Sequence, residues 1–196
     1  MRKKLGIILM TAGILCVAAA AALLIHNNNE NKNAEVKSSA VMSSLMSVIE
    51  AEITNPPLEK DPFDTEMLTV SIDGYDYIGY LFIPCLELEL PIMAECDDER
   101  LETAPCRYYG STKTNNLVIA GHSYNSHFGY IGELEKGDTV IFTDVEKNNL
   151  NYKVTSVEIL QPTDVDKVKD TGDDLIFYTC TYSTEERIAV RCSRVG

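Results

Sequence analysis

A cysteine, a histidine and an arginine each stand at the edge of an apolar run in this chain, and together they suit acyl transfer. Cys180 ends Ile176-Phe177-Tyr178-Thr179-Cys180, which reads as a short buried strand. Arg187 opens the next apolar run, Ile188-Ala189-Val190, and His122 follows Leu117-Val118-Ile119-Ala120-Gly121. A cysteine attacks carbonyls as its thiolate, and a neighbouring cation favours that form. A histidine carries the proton to a leaving amine. An arginine stays charged and can hold the developing oxyanion. Taken singly, each residue has a plainer role. A strand-end cysteine is often core filler. An arginine after Glu185 and Glu186 is by default a solvated turn charge. His26 and His127 read as surface residues.

The three residues are far apart in sequence, so only tertiary structure can assemble them. From Tyr77 onward the pattern is one of short strands: 77–83, 86–90, 116–120, 139–142, 150–160, 175–179 and 188–192. A helical turn is expected at 97–101, and a short helix after His122 carrying Phe128, Ile131 and Leu134. Residues 162–172 form a polar connection. Many short strands with only brief helices predict a mainly β, closed or nearly closed barrel. Upstream, Val41, Leu45, Val48 and Ile49 recur at helical spacing, until Asn55-Pro56-Pro57 stops the helix. Residues 58–74 read as irregular. The Asn-rich stretch from His26 to about Lys37 reads as a solvated linker.

At the N-terminus, Arg2, Lys3 and Lys4 precede about 21 uncharged, mostly apolar residues, 5–25. That length spans a bilayer as a helix. The basic flank stays in the cytoplasm, which places the rest of the chain outside. The small residues Ala18 to Ala22 also fit a cleaved signal peptide. Leu23, Leu24 and Ile25 extend the apolar run past them and favour an uncleaved anchor. The chain thus divides into an anchor (1–26), a linker with an N-terminal helix (27–74) and a barrel (75–196). Of 17 basic residues, the 14 beyond the anchor face 30 acidic ones, a net charge of −16. Such a domain does not hold nucleic acid by bulk charge.

Six cysteines include Cys16 in the apolar segment. If Cys180 is a free thiol, Cys85, Cys96, Cys106 and Cys192 allow three pairings. Their spacing matches no zinc pattern. Asp97, Asp98 and Glu99 carry oxygen ligands of the kind calcium takes, but a solvated helix start explains them more simply. No cofactor and no metal is expected.

Residues from about 77 to 195 resemble the sortases, the surface transpeptidases of Gram-positive bacteria. The family signature T-L-x-T-C is met by Ile176-Phe177-Tyr178-Thr179-Cys180, with Ile176 and Phe177 in place of Thr and Leu. Gly121-His122-Ser123-Tyr124, then His127-Phe128 and Leu134, resembles the family's histidine segment. Tyr77 to Pro84 resembles its opening strand and Leu90-Pro91-Ile92 its second. The resemblance implies an eight-stranded barrel and leaves the sortase class unassigned. It implies that Cys180 attacks the Thr–Gly bond of an L-P-x-T-G-like signal on a surface protein. An amine from peptidoglycan or a pilin then resolves the thioester. His122 would serve as acid and base, and Arg187 would support substrate and oxyanion. Arg191, four positions on, lies on the same strand face and stays an alternative. Thr179 and Thr181 flank the nucleophile and would help position substrate. Asp61-Pro62-Phe63 resembles the lid motif of pilus sortases, with Phe63 as the plug. A silent barrel that binds surface ligands and a cysteine hydrolase are the competing readings. The Ser/Thr-His-Gly-Cys cluster of L,D-transpeptidases is absent from the sequence.

Overall fold

Nine strands follow a long N-terminal helix in the computed structural model, which describes residues 2–51, 65–169, 171–181 and 185–195. In chain order they are β1 (Val70–Ile72), β2 (Tyr75–Ile83), β3 (Leu88–Met93), β4 (Cys106–Tyr109), β5 (Leu117–Ala120), β6 (Thr139–Asp144), β7 (Asn149–Leu160), β8 (Leu175–Cys180) and β9 (Arg187–Val195). Eight of them close in the order β2-β3-β4-β5-β8-β9-β7-β6, with β6 returning to pair with β2. This is the expected barrel. β1 is a short addition that pairs only with the start of β2. The pairs β3–β4 and β5–β8 are parallel, and the other pairs are antiparallel.

Period-two alternation sorts the barrel's two faces. On β8, Leu175 and Phe177 enter the interior with Leu117, Ile119, Leu81, Phe142 and Val190. Ile176 and Tyr178 face outward among Val118, Ala189, Leu160 and Val168. A fully buried side chain of this size contributes roughly 1.5–3 kcal/mol. A one-residue slip would turn Leu175 and Phe177 out of the core, so packing fixes the register that places Cys180.

The structure corrects several expectations. The alternating run 86–90 is not one strand. Ile83 pairs with Leu88, so residues between them form the connection. Pro84–Leu86 make a 3-10 turn, and Glu87 takes a left-handed conformation before β3 begins. Within the stretch read as irregular, β1 forms a hairpin with β2 about Asp73-Gly74, both at positive φ. β4 was not legible either, because Cys-Arg-Tyr-Tyr shows no alternation. The helical turn is present as α2 (Asp98–Leu101), with Asp97 capping it. After His122 the chain makes turns and a 3-10 segment, Ile131–Glu133, rather than an α-helix, although Phe128, Ile131 and Leu134 are all buried.

The stretch read as a solvated linker is helical. One helix, α1, runs Arg2–Ala51 through the Asn-rich segment. Ala34, Ser38, Leu45 and Ile49 are buried along one face, and the helix packs on β1, β2 and β3. Asn31 accepts a 2.7 Å bond from the Asn125 backbone N–H, and its backbone carbonyl accepts from Ser126 Oγ. These contacts offset asparagine's weak helix propensity. Among the described residues α1 is the one helix long and apolar enough to cross a membrane, with Leu9, Ile14, Leu15, Leu23 and Ile25 all exposed.

Candidate active site

The parallel ladder between β5 and β8 sets side by side the two strands that lead to His122 and Cys180. Ala120 is paired with Tyr178, and the Gly121 N–H donates to the Tyr178 carbonyl at 3.0 Å. One residue on, Thr179 Oγ1 donates to the Gly121 carbonyl at 2.7 Å. The next residues along the two strand directions are His122 and Cys180. Cys180 lies two positions beyond the outward-facing Tyr178 and belongs to the outer face of the sheet, whereas His122 lies in the loop just past the end of β5. Both are half-buried. Gly121 makes room for this turn. A Cβ there would sit 2.6 Å from the Phe128 ring, which folds back against the loop and packs edge-on against Phe177 at 5.5 Å.

The antiparallel β8–β9 pair supplies the arginine, because Cys180 and Arg187 are direct partners across the ladder. The turn between them is held by the Thr181 N–H and hydroxyl, which donate to the Glu186 carbonyl at 3.0 and 3.3 Å. Arg187 Nη1 also donates to that carbonyl at 3.1 Å. Arg191, the alternative, is otherwise engaged. Its guanidinium bonds Glu158 at 3.1 Å, Asp173 at 2.7 Å and the Lys167 carbonyl at 2.7 Å. It ties β9 to β7 and to the connection between β7 and β8. The register separates the two arginines where period two could not.

Both threonines bond within the protein. Thr179 is only 2% exposed, with its hydroxyl on the Gly121 carbonyl. Thr181 holds the turn through its N–H and hydroxyl. Asp61, Pro62 and Phe63 lie outside the described residues.

His127, read as a surface residue, is fully buried. The His127 N–H donates to the Tyr124 carbonyl, which turns the ring inward against the Tyr124 ring at 5.5 Å. Neither ring nitrogen meets hydrogen-bond geometry with a partner, although the Thr103 backbone lies near enough to favour its protonation weakly. Burial, reinforced by His122, pushes its pKa down to about 4. His122 itself sits 4.9 Å from the Tyr124 ring. Burial lowers its pKa, while Glu102, Asp98 and Glu30 oppose the shift by favouring the imidazolium.

One neighbour of the site was not singled out from the sequence. Tyr178 shares the outer face with Cys180, two residues before it, and its ring stacks on Tyr108 at 6.4 Å. Tyr108 lies in turn beneath Lys169 Nζ at 5.0 Å. Burial raises the Tyr178 pKa, and the adjacent Arg187 opposes that through its charge and a side-chain hydrogen bond. The period-two relation to Cys180 was the signal available in the sequence. Beside Tyr108 and Tyr109 opens a cleft of about 430 Å³ lined also by Thr65, Glu66, Ala94 and Arg107.

A thiol and a guanidinium paired across the β8–β9 ladder, with an imidazole in the loop that follows the neighbouring β5, are the groups that nucleophilic acyl transfer uses. The chain is similar to known proteins in sequence and fold. Sortase A of Bacillus anthracis is 29% identical over 137 residues, which cover 67% of this chain and 65% of that one. Sortase D of Bacillus subtilis (strain 168) is 32% identical over 117 residues, covering 58% and 53%. This chain therefore spans less than two thirds of the length of these relatives. The solved structure of sortase A from Corynebacterium diphtheriae superposes with a TM-score of 0.57 at 21% identity, covering 91% of this chain and 96% of that one. Such identity carries the fold alone. A sortase domain model matches residues 81–195, more than half of the sequence and every strand from β3 to β9. On that match, the chain belongs to the sortase family.

Proposed function

We propose that this protein is a membrane-anchored cysteine transpeptidase acting on an L-P-x-T-G-like sorting signal. The observation that carries the reading is the ladder pairing of Cys180 with Arg187, set beside a histidine loop bonded to the same strand. Cys180 gives its proton to His122, and the thiolate attacks the threonine carbonyl carbon. The carbonyl π bond becomes an oxyanion, which the Arg187 guanidinium stabilises. As the intermediate collapses, the C–N bond to glycine breaks and His122 returns the proton to the leaving amine. A thioester remains. An amine from peptidoglycan or a pilin attacks it, His122 takes the amine's proton, and the thiolate leaves.

The depressed pKa of His122 keeps the imidazole neutral and ready to accept the first proton. Glu102, Asp98 and Glu30 then favour the imidazolium that must form. The exposed apolar part of α1 is the proposed single span, with Arg2, Lys3 and Lys4 on the cytoplasmic side and the barrel outside. Phe63 is the proposed plug of a lid over the cleft.

The test is mass spectrometry of the detergent-solubilised chain with a library of L-P-x-T-G-type peptides, with and without an amine. An acyl adduct on Cys180 that passes to the amine is expected, with none in Cys180→Ala. An adduct lost only to water would identify a hydrolase. If neither the native chain nor Phe63→Ala forms an adduct, the barrel is a binding module and the mechanism fails.

A further inference from the structure

We propose that Cys96 and Cys106 form a disulfide that staples the α2 turn to the start of β4. The two residues lie on opposite sides of the segment that leaves β3 and returns as β4. Met93 pairs with Cys106 across the parallel β3–β4 contact, and Cys96 follows three residues after Met93. Both belong to the apolar cluster formed by Tyr77, Met93, Ala104 and Leu45, in which Cys96 packs as a half-buried member and Cys106 is fully buried. The two thiols are neighbours, each the leading influence on the other's pKa. The other cysteines have no such neighbour. Cys85 faces Asp138 on the exposed 3-10 turn, Cys192 is sealed in the barrel interior, and Cys180 belongs to the site.

The pair is chemically asymmetric. The neighbouring Cys106 thiol lowers the Cys96 pKa, despite the carboxylates of Asp97 and Asp98. Cys96, together with burial, raises the Cys106 pKa. The Cys106 S–H donates to the Ala104 carbonyl at 3.3 Å. Cys96, half-exposed, is therefore the attacking thiolate, and Cys106 resolves. With a small disulfide RSSR, Cys96 attacks one sulfur, forms a mixed disulfide and expels RS⁻. Cys106 then attacks the Cys96 sulfur and expels the second RS⁻. Two protein S–H bonds are lost, one S–S bond forms, and two RSH leave. The oxidant is the small disulfide, which is reduced.

The enclosed segment is already ordered. Asp97 caps α2 by accepting from the Arg100 N–H at 2.8 Å, and Arg100 pairs with Glu95 at 2.8 Å. The bond therefore locks an arrangement that packing has made. That arrangement carries Asp98 and Glu102, the first two carboxylates acting on His122. The extracellular location under Proposed function explains where an oxidant is met, but the chemistry does not depend on Cys180.

The experiment incubates the detergent-solubilised full chain, as Cys180→Ala to remove competing site chemistry, with glutathione disulfide. Free thiols are then alkylated and the protein is cleaved after Arg and Glu. Cleavage at Glu95, Glu99, Glu102 and Arg107 frees residues 96–99 and 103–107, which only a Cys96–Cys106 bond can hold together. The expected result is this linked pair, an intact mass lower by about 2 Da, and a Tm raised by several degrees that dithiothreitol reverses. Cys85→Ser should leave the linked pair intact, and Cys106→Ala should stop at glutathione on Cys96. A link through Cys85 or Cys192, or alkylation of both Cys96 and Cys106 after oxidation, would overturn the proposal. Neither outcome bears on whether Cys180 forms a thioester.

Discussion

Two of the three arginines of β9, Arg187 and Arg191, are placed for different roles at the level of single side chains. Arg187 faces Cys180 across the ladder, whereas Arg191 is bound by two carboxylates and a carbonyl. Arg187→Ala is expected to lower the rate of thioester formation by about 10²–10³-fold, the usual effect of removing an oxyanion donor, with little change in Tm. Arg191→Ala should do the reverse. It leaves Glu158 and Asp173 facing each other without a cation and destabilises the fold by about 2–4 kcal/mol, with catalysis in the surviving folded fraction largely intact. Thermal melts and single-turnover kinetics on both variants test this, and an Arg191→Ala enzyme that is stable but inactive would exchange the roles. Tyr178 neighbours Arg187, which acts on it by charge and a side-chain hydrogen bond; if the ring positions that guanidinium, Tyr178→Phe should slow the chemical step by roughly tenfold without changing substrate binding. The same substitution in an Arg187→Lys background should have a much smaller effect. Equal losses in both backgrounds would assign Tyr178 to packing alone.

At the scale of elements, β5, β8 and β9 act as one unit, fastened at Thr179. Its hydroxyl bonds the carbonyl of Gly121, the residue immediately before His122. Thr179→Val keeps the shape and removes the bond, leaving a buried carbonyl short of a donor. The expected cost is about 1–2 kcal/mol of stability, with a fall in kcat and an unchanged KM, because the side chain is buried. A raised KM would instead assign Thr179 to substrate binding. This unit was largely legible in the sequence. Leu117 to Ala120, Leu175 to Cys180 and Ile188 to Val190 are apolar runs that only buried strands accommodate, and the resemblance fixed their order. The orientation of Thr179 followed from period two as well, since Cys180 faces outward. β1, β4 and the course of residues 84–87 were hidden for a different reason. They are three- or four-residue segments whose conformation comes from hairpin partners rather than from their own pattern. The helical path of His26 to Lys37 was hidden likewise, because contacts with Asn125 and Ser126 from the barrel help hold it.

For the molecule as a whole, the buried His127 makes stability depend on pH. In the unfolded chain this histidine titrates near 6.5, whereas in the folded protein burial holds it at about 4. Above pH 6.5 it is neutral in both states and has no effect. Between pH 6.5 and 4 the unfolded chain binds a proton that the folded protein refuses, so stability falls as pH falls. The loss approaches about 1.4 kcal/mol per pH unit, or roughly 3 kcal/mol over the whole window. Below about pH 4 this contribution is exhausted. His122, also depressed by burial, adds a contribution of the same sign. The difference between the native chain and His127→Leu isolates the buried ring, since leucine fills the site without a titratable group. Denaturant melts from pH 7 to 4.5 should show His127→Leu at least as stable as the native chain at pH 7, because two unpartnered ring nitrogens are gone. Its advantage should then widen steadily as the pH drops. A constant gap across that range would mean that His127 takes up its proton without unfolding pressure, and that the acid sensitivity belongs to His122 and the carboxylates around it.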